Sequence, residues 1–195
     1  MAKVENCFGY KSMWLAVKGA EIDTILSCCP ELKYVREAGW KEAMAEVDEN
    51  WRTRVMLSGP YDGWVFLSGI ALWDVSEVDA IVDVMGRIGR RAQEVCYFGS
   101  YRVSDAYIFA KMTAGKMIRL YSYADGQLFG CIGERSEAEK KLGLHYAERE
   151  EELFEDGFSL MDEEDVLGIA AEWSMHPEEL LGREEARTVL ADRER

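Results

Sequence analysis

The densest set of chemically able side chains is a run of carboxylates, Glu150, Glu151, Glu152, Glu155 and Asp156, followed by Asp162, Glu163, Glu164 and Asp165. Neighbouring carboxylates can act as general acid and base or hold a divalent cation. A catalytic acid needs a partly buried setting that moves its pKa, whereas acids crowded into one polar stretch are solvated. A solvated, one-signed surface attracts an oppositely charged protein and speeds the encounter; its plainer use is to keep a protein soluble. Glu150, Glu151, Glu152, Glu155 and Asp156 are therefore the candidate partner-binding residues. Asp162 and Asp165 have a second use at a helix start, where the backbone dipole favours acids.

Other chemistry finds little material. The two histidines, His145 and His176, sit in no HxxxH, HxH or CxH arrangement, and the adjacent Cys28 and Cys29 have no second ligand pair nearby, so no zinc site is expected. Ser58, Ser68 and Ser100 adjoin glycine without forming GxSxG, and neither GxGxxG nor GxxxxGK[ST] occurs. Arg87, Arg90 and Arg91 share a helix with Asp79 and Asp83, which suits surface ion pairs better than a phosphate site. The expectation is a chain with no catalytic residue, metal or cofactor. Six tryptophans are mostly core, and one or two exposed near the acidic stretch would serve as interface anchors.

The whole chain has 195 residues, 48% apolar and 31% charged, with three prolines, enough for one folded domain over 1–195. A net charge of −14 argues against binding nucleic acid or an anionic membrane directly, and favours a basic partner. Residues 134–195 hold 20 acidic and 8 basic groups, so −12 of the −14 lies in the last third. Apolar runs reach only about five residues where a membrane span needs about twenty. The first residues lack the apolar stretch of a signal peptide, and five cysteines without CxxC suit a reducing compartment, so the expected location is cytoplasmic.

The elements that position these groups follow from periodicity. Residues 12–19 read as a strand, and Ile22, Ile25, Leu26 and Cys29 as a helical stripe stopped by Pro30. A helix is expected over residues 40–49, then a half-buried strand over 51–58, with Val55 and Leu57 on one face and Arg54 and Met56 on the other. A turn over 58–63 leads into a second strand, completing a hairpin. The longest helix is expected from a Ser76 cap to about Gln93, with Gly86 and Gly89 marking close packing. Residues 94–133 read as an antiparallel meander with one core face and one partly wet face. Helices are expected over 136–144 and 161–173 and from Pro177, and the tail 184–195 reads as polar and fraying. The fold class is α+β: a mostly antiparallel sheet, hairpin plus meander, flanked by helices, with a helical acidic C-terminal portion over 134–195.

The run PYDGWVFLSG, the later EVCYFGSYRVSDAYIFAKMTAGKMIRLYSYADG and the closing DEEDVLGIAAEWSMHPEEL together resemble a widespread family of acidic bacterial cytosolic proteins. In that family a DGW strand, a helix, a tyrosine-rich meander and an acidic helix come in the same order. The resemblance spans roughly residues 60–180. Such proteins are similar in character to the immunity proteins of polymorphic and contact-delivered toxin systems, a likeness of class that carries over no residues. It implies an immunity protein that occludes a cognate toxin, a basic one, through its acidic surface. The same residues leave open a carboxylate-based enzyme or small-molecule sensor, and an acidic inhibitor that imitates nucleic acid to block a nuclease.

Overall fold

A computed structural model describes residues 7–153, 155–183 and 185–194. In chain order the elements are β1 (Ser12–Lys18), α1 (Ile22–Cys28), β2 (Leu32–Glu37), α2 (Trp40–Glu49), β3 (Arg54–Tyr61), β4 (Trp64–Ser68), α3 (Val78–Gly89), β5 (Glu94–Tyr101), β6 (Ala106–Thr113), β7 (Lys116–Ala124), β8 (Gln127–Ile132), α4 (Glu137–Lys141), α5 (Glu163–Trp173) and β9 (Thr188–Arg193). Short 3-10 turns occupy Arg102–Ser104, Glu150–Glu152 and Pro177–Leu180. Among the described residues no helix is long and apolar enough to cross a membrane.

All nine strands form one antiparallel sheet in the order β2-β9-β3-β4-β1-β5-β6-β7-β8. The α+β class expected from the sequence holds. The β7 face expected to be partly wet is covered instead, with Arg119 and Tyr121 buried, and the central strands are covered on both faces, while the edge strands β2 and β8 stay partly exposed. On β1, at the centre, Met13, Leu15 and Val17 join one core with residues of α1 and α3, while Trp14 and Ala16 join a second core with α2 and α5. β3 divides in the same way, Val55 and Leu57 against Met56. A strand buried on both faces shows a continuous apolar run instead of an alternating one, and β1 and β4 carry such runs.

The tail is the largest correction. Instead of fraying, β9 inserts between β2 and β3, with Val189, Leu190 and Ala191 fully buried. Its charges lie at its two ends, where Arg187 meets Asp23 at 3.0 Å and Arg54 meets Asp192 at 2.7 Å. Residues 134–195 are accordingly not a helical third. Among the described residues they hold two α-helices, α4 of five residues and α5 of eleven, with irregular chain, two 3-10 turns and β9 making up the rest. β2, an edge strand with a bulge between Tyr34 and Arg36, has no counterpart in the sequence expectation. α3 starts after Glu77, with Ser76 bonded to Asp74, and ends at Gly89. A methyl group on Gly89 would sit 2.9 Å from the Met112 sulfur, the close packing expected of it; Gly86 has open space around it.

Three hairpins close on two-residue turns with both residues at positive φ: Asp62-Gly63, Ala114-Gly115 and Asp125-Gly126. The first lies beyond the Ser58–Tyr61 bulge of β3, so β3 runs further than its turn-forming residues suggest. Ala114 is the misfit, since a side chain without a polar group gains nothing locally at φ 49°. Ala114→Asn should raise stability by about 0.5–1 kcal/mol, seen as a higher urea midpoint at unchanged slope; an unchanged midpoint would contradict the turn assignment.

Candidate functional site

Residues 134–183 lie as a layer over the second core, with 16 acidic and 5 basic side chains and a net charge of −11. Several of those acids build the layer. Ser136 and Glu139 form a capping box at α4, and the Glu139 carboxylate is buried against Arg119 of β7, with Nη2 to Oε1 at 2.8 Å and Nε to Oε2 at 3.1 Å. Asp162 and Asp165 form a second capping box at α5. Glu163, also buried, accepts the Ser100 hydroxyl at 2.6 Å and the Lys11 amide at 3.2 Å, which ties the start of α5 to β5. Tyr146 stacks on Tyr121 at 5.0 Å and Trp173 meets Phe109 edge-on at 5.6 Å. Burial pushes up both the Tyr146 phenol and the Asp165 carboxyl.

The remaining acids divide by partner. Glu137 pairs with Lys140 at 2.6 Å and Glu172 with Lys141 at 2.7 Å. Of the five predicted partner-binding residues, Glu152 is taken up locally: it accepts Arg149 Nε at 2.8 Å and the Glu148 amide at 3.1 Å, and the Arg149 hydrogen bond holds its carboxyl below the ordinary glutamate value. Glu150, Glu151, Glu155 and Asp156 are exposed, and among the described residues none has a cation within ion-pair distance. The same layer carries Leu160, 75% exposed, together with Leu142 and Leu181. Trp173 is buried, so no tryptophan anchors this surface; the exposed tryptophan is Trp51, which lies elsewhere.

Trp51 lines a cavity of about 540 Å³ at the end of the sheet where β1 begins and β4, β5 and β9 finish. Its walls are Met13, Trp51, Ile70, Leu72 and Tyr101, with Asp74, Glu77 and Arg193 as the charged groups. Asp74 Oδ1 accepts the Ser76 amide and hydroxyl at 3.0 and 2.8 Å, and Glu77 Oε2 accepts the Asp74 amide at 2.7 Å, which fixes both carboxylates ahead of α3. Arg193 lies over the Trp73 ring at 4.6 Å and donates to the Ala71 carbonyl at 2.9 Å.

No family model, curated protein or solved structure matches the chain. The functional argument therefore rests on the side chains themselves. Among the described residues no three His, Cys, Asp or Glu side chains converge on a metal position. His145 packs on Phe158 and His176 caps the last 3-10 turn. Cys7, Cys29 and Cys96 are buried, and burial pushes their thiols up to about 12, far from a reactive thiolate at neutral pH. Of the arginine triplet, Arg87 forms ion pairs, to Asp83 at 3.0 Å and to Glu31 at 2.6 Å; Arg90 and Arg91 are exposed.

The cavity escaped the sequence reading because its residues run from Met13 to Arg193 with no common spacing. One signal was available: Trp51 stands among Asn50, Arg52 and Arg54, a polar setting unlike that of a core tryptophan. The anchoring of the acidic layer is open to test. Glu139→Ala leaves Arg119 buried without its counter-charge and should cost about 3–5 kcal/mol, whereas Arg119→Met combined with Glu139→Leu should recover most of that loss. Urea unfolding of the two variants reads the difference, and equal losses would show that the ion pair is not the anchor.

Proposed function

We propose that this protein is a binding module that docks and occludes a basic protein through the acidic layer of residues 134–183, as an immunity protein does to its cognate bacterial toxin. The observation that supports this reading is the contrast in how charge is used. Over the rest of the molecule many cations and anions are paired, as in Arg36 with Glu42, Arg87 with Glu31, Lys111 with Glu94 and Arg187 with Glu37. Among the described residues Glu150, Glu151, Glu155 and Asp156 have no cation within ion-pair distance, the nearby Arg149 being committed to Glu152. Adjacent like charges repel, and a cationic partner relieves the repulsion while the field steers its approach.

Charge alone gives rate more than affinity, and lasting affinity needs desolvated apolar anchors. Leu160 beside the loop supplies one. Preorganisation supports the same reading, since a layer pinned by buried contacts loses little freedom on docking. Capture from native lysate at low and at moderate salt should yield one stoichiometric basic protein, lost as salt rises. With that protein in hand, reversing Glu150, Glu151, Glu155 and Asp156 to lysine should slow association by about tenfold or more and flatten its salt dependence. Leu160→Ala should act on dissociation instead. An association rate untouched by the four reversals would refute the acidic docking surface.

A further inference from the structure

We propose that the cavity at the sheet end is a binding site for a small organic cation, a primary ammonium or guanidinium carried on a flat apolar body. The site shares no residue with the acidic layer. Its volume of about 540 Å³ is that of a small-molecule pocket. Its walls combine the two features such a ligand needs. Trp51 and Tyr101 offer aromatic surface and Met13 and Leu72 an apolar floor, while Asp74 and Glu77 supply two carboxylates.

Charge decides the ligand's sign. Against the two carboxylates stands one arginine, and Arg193 neutralises them incompletely: its Nη2 lies 3.6 Å from Glu77 Oε1, and a second donor is committed to the Ala71 carbonyl. Its side chain is only 9% exposed, yet Nε has no acceptor. Such a buried, unpaired donor is uncommon in a folded protein; an ammonium or guanidinium has no acceptor to offer it, so the donor calls for a hydroxyl or carbonyl on the ligand's apolar body and does not itself select the cation. Asp74 uses Oδ1 for Ser76 and, among the described residues, has no cation within ion-pair distance. Both carboxylates are held by local hydrogen bonds, so they need not be reorganised when a ligand arrives.

The aromatic wall favours the same sign. The face of Trp51 already carries a guanidinium, that of the exposed Arg52 at 4.8 Å, the attraction of a cation for an indole face. Arg52 does not line the cavity, so the contact shows that this indole attracts a cation and leaves the cavity's own cation to be supplied by a ligand. Trp51 is 46% exposed without a ligand, more than a purely structural tryptophan shows.

Three probes of nearly equal shape separate charge from shape: phenethylamine, 2-phenylethanol and 3-phenylpropionate. Carbon-13 methyl spectra of the methionines report the site through Met13, whose signal is assigned by its loss in Met13→Leu. Phenethylamine should shift the Met13 methyl saturably, with the alcohol and the acid at least about tenfold weaker. Asp74→Asn with Glu77→Gln keeps the local hydrogen bonds, and should bring the amine down to the level of the alcohol. Trp51→Ala, a change at an exposed position, should weaken all three probes. Equal binding of the three, an amine preference that survives the double variant, or no Met13 response to any probe up to about 10 mM would each overturn the proposal.

Discussion

The pair of Arg119 and Glu139 is the constraint around which the acidic side of the molecule is arranged. Both side chains are almost wholly buried, at 2% and 1% exposure. Two charges withdrawn from water lose several kcal/mol of solvation each, and their attraction offsets this only when the remaining donors and acceptors are satisfied. Here they are. Besides the two contacts between the partners, Arg119 Nη1 donates to the Gly133 carbonyl at 2.8 Å, and the Ser136 amide and hydroxyl both reach Glu139 Oε2 at 2.7 Å. Such a pair contributes more to uniqueness than to net stability, because only one placement of α4 on β7 satisfies both groups. The placement propagates, since Tyr121 beside Arg119 carries the stacked Tyr146 and, through it, the chain that leads to the exposed acids.

Burial on both faces of the sheet has a second consequence, for where charge can go. With cores above and below, a charged side chain within a strand needs a partner, as Arg119 and Lys111 have, and the first 133 residues, holding 17 acids and 15 bases, can match charges nearly one for one. Segment 134–183 cannot, having 16 acids for 5 bases. Hydrogen bonding absorbs part of the excess: Glu139 and Glu163 are buried and satisfied, and Asp162, Asp165 and Glu179 are drawn into capping boxes. Most of what is left over collects in the loop before α5, with Glu134 and Glu164 exposed outside it. The free acids are thus a residue of folding, namely those for which neither backbone nor cation was within reach.

Local pattern made much of the fold legible. α1 and α2 lie where apolar spacing puts them, α3 lies largely so, and the Asp125-Gly126 turn is where its dipeptide demands. β9 was hidden for a physical reason: a four-residue run, TVLA, sits between charges whose spacing also fits an exposed helix. Its neighbours β2 and β3 lie more than a hundred residues earlier, and pairing over such distances leaves no trace in local periodicity. The second buried face was hidden too, because whether a strand's polar-looking side is wet depends on what packs there, and Arg119 looks like a solvent residue until α4 supplies Glu139. The acidic run was visible as composition. Which acids stay free was not, since that depends on Arg149 turning to Glu152 and on capping geometry.

The late return of the chain also decides when the cavity exists. β2 is an edge strand whose sheet neighbour is β9, and β9 joins it to β3. Until the last residues are in place, β2 has no partner in the sheet, and Arg193, which lines the cavity and stacks on Trp73, is absent from its position. The cavity is therefore assembled from the first strand, the middle loop and the last strand, and its integrity reports closure of the sheet along its whole length. Any molecule that binds there stabilises the closed sheet by mass action, because it has affinity only for the state in which β9 is docked. The acidic layer draws instead on β5, β6 and β7 beneath it, through Ser100, Phe109 and Arg119. The two surfaces meet at the end of β5, where Tyr101 lines the cavity and the adjacent Ser100 holds Glu163 of the acidic layer, yet they share no side chain.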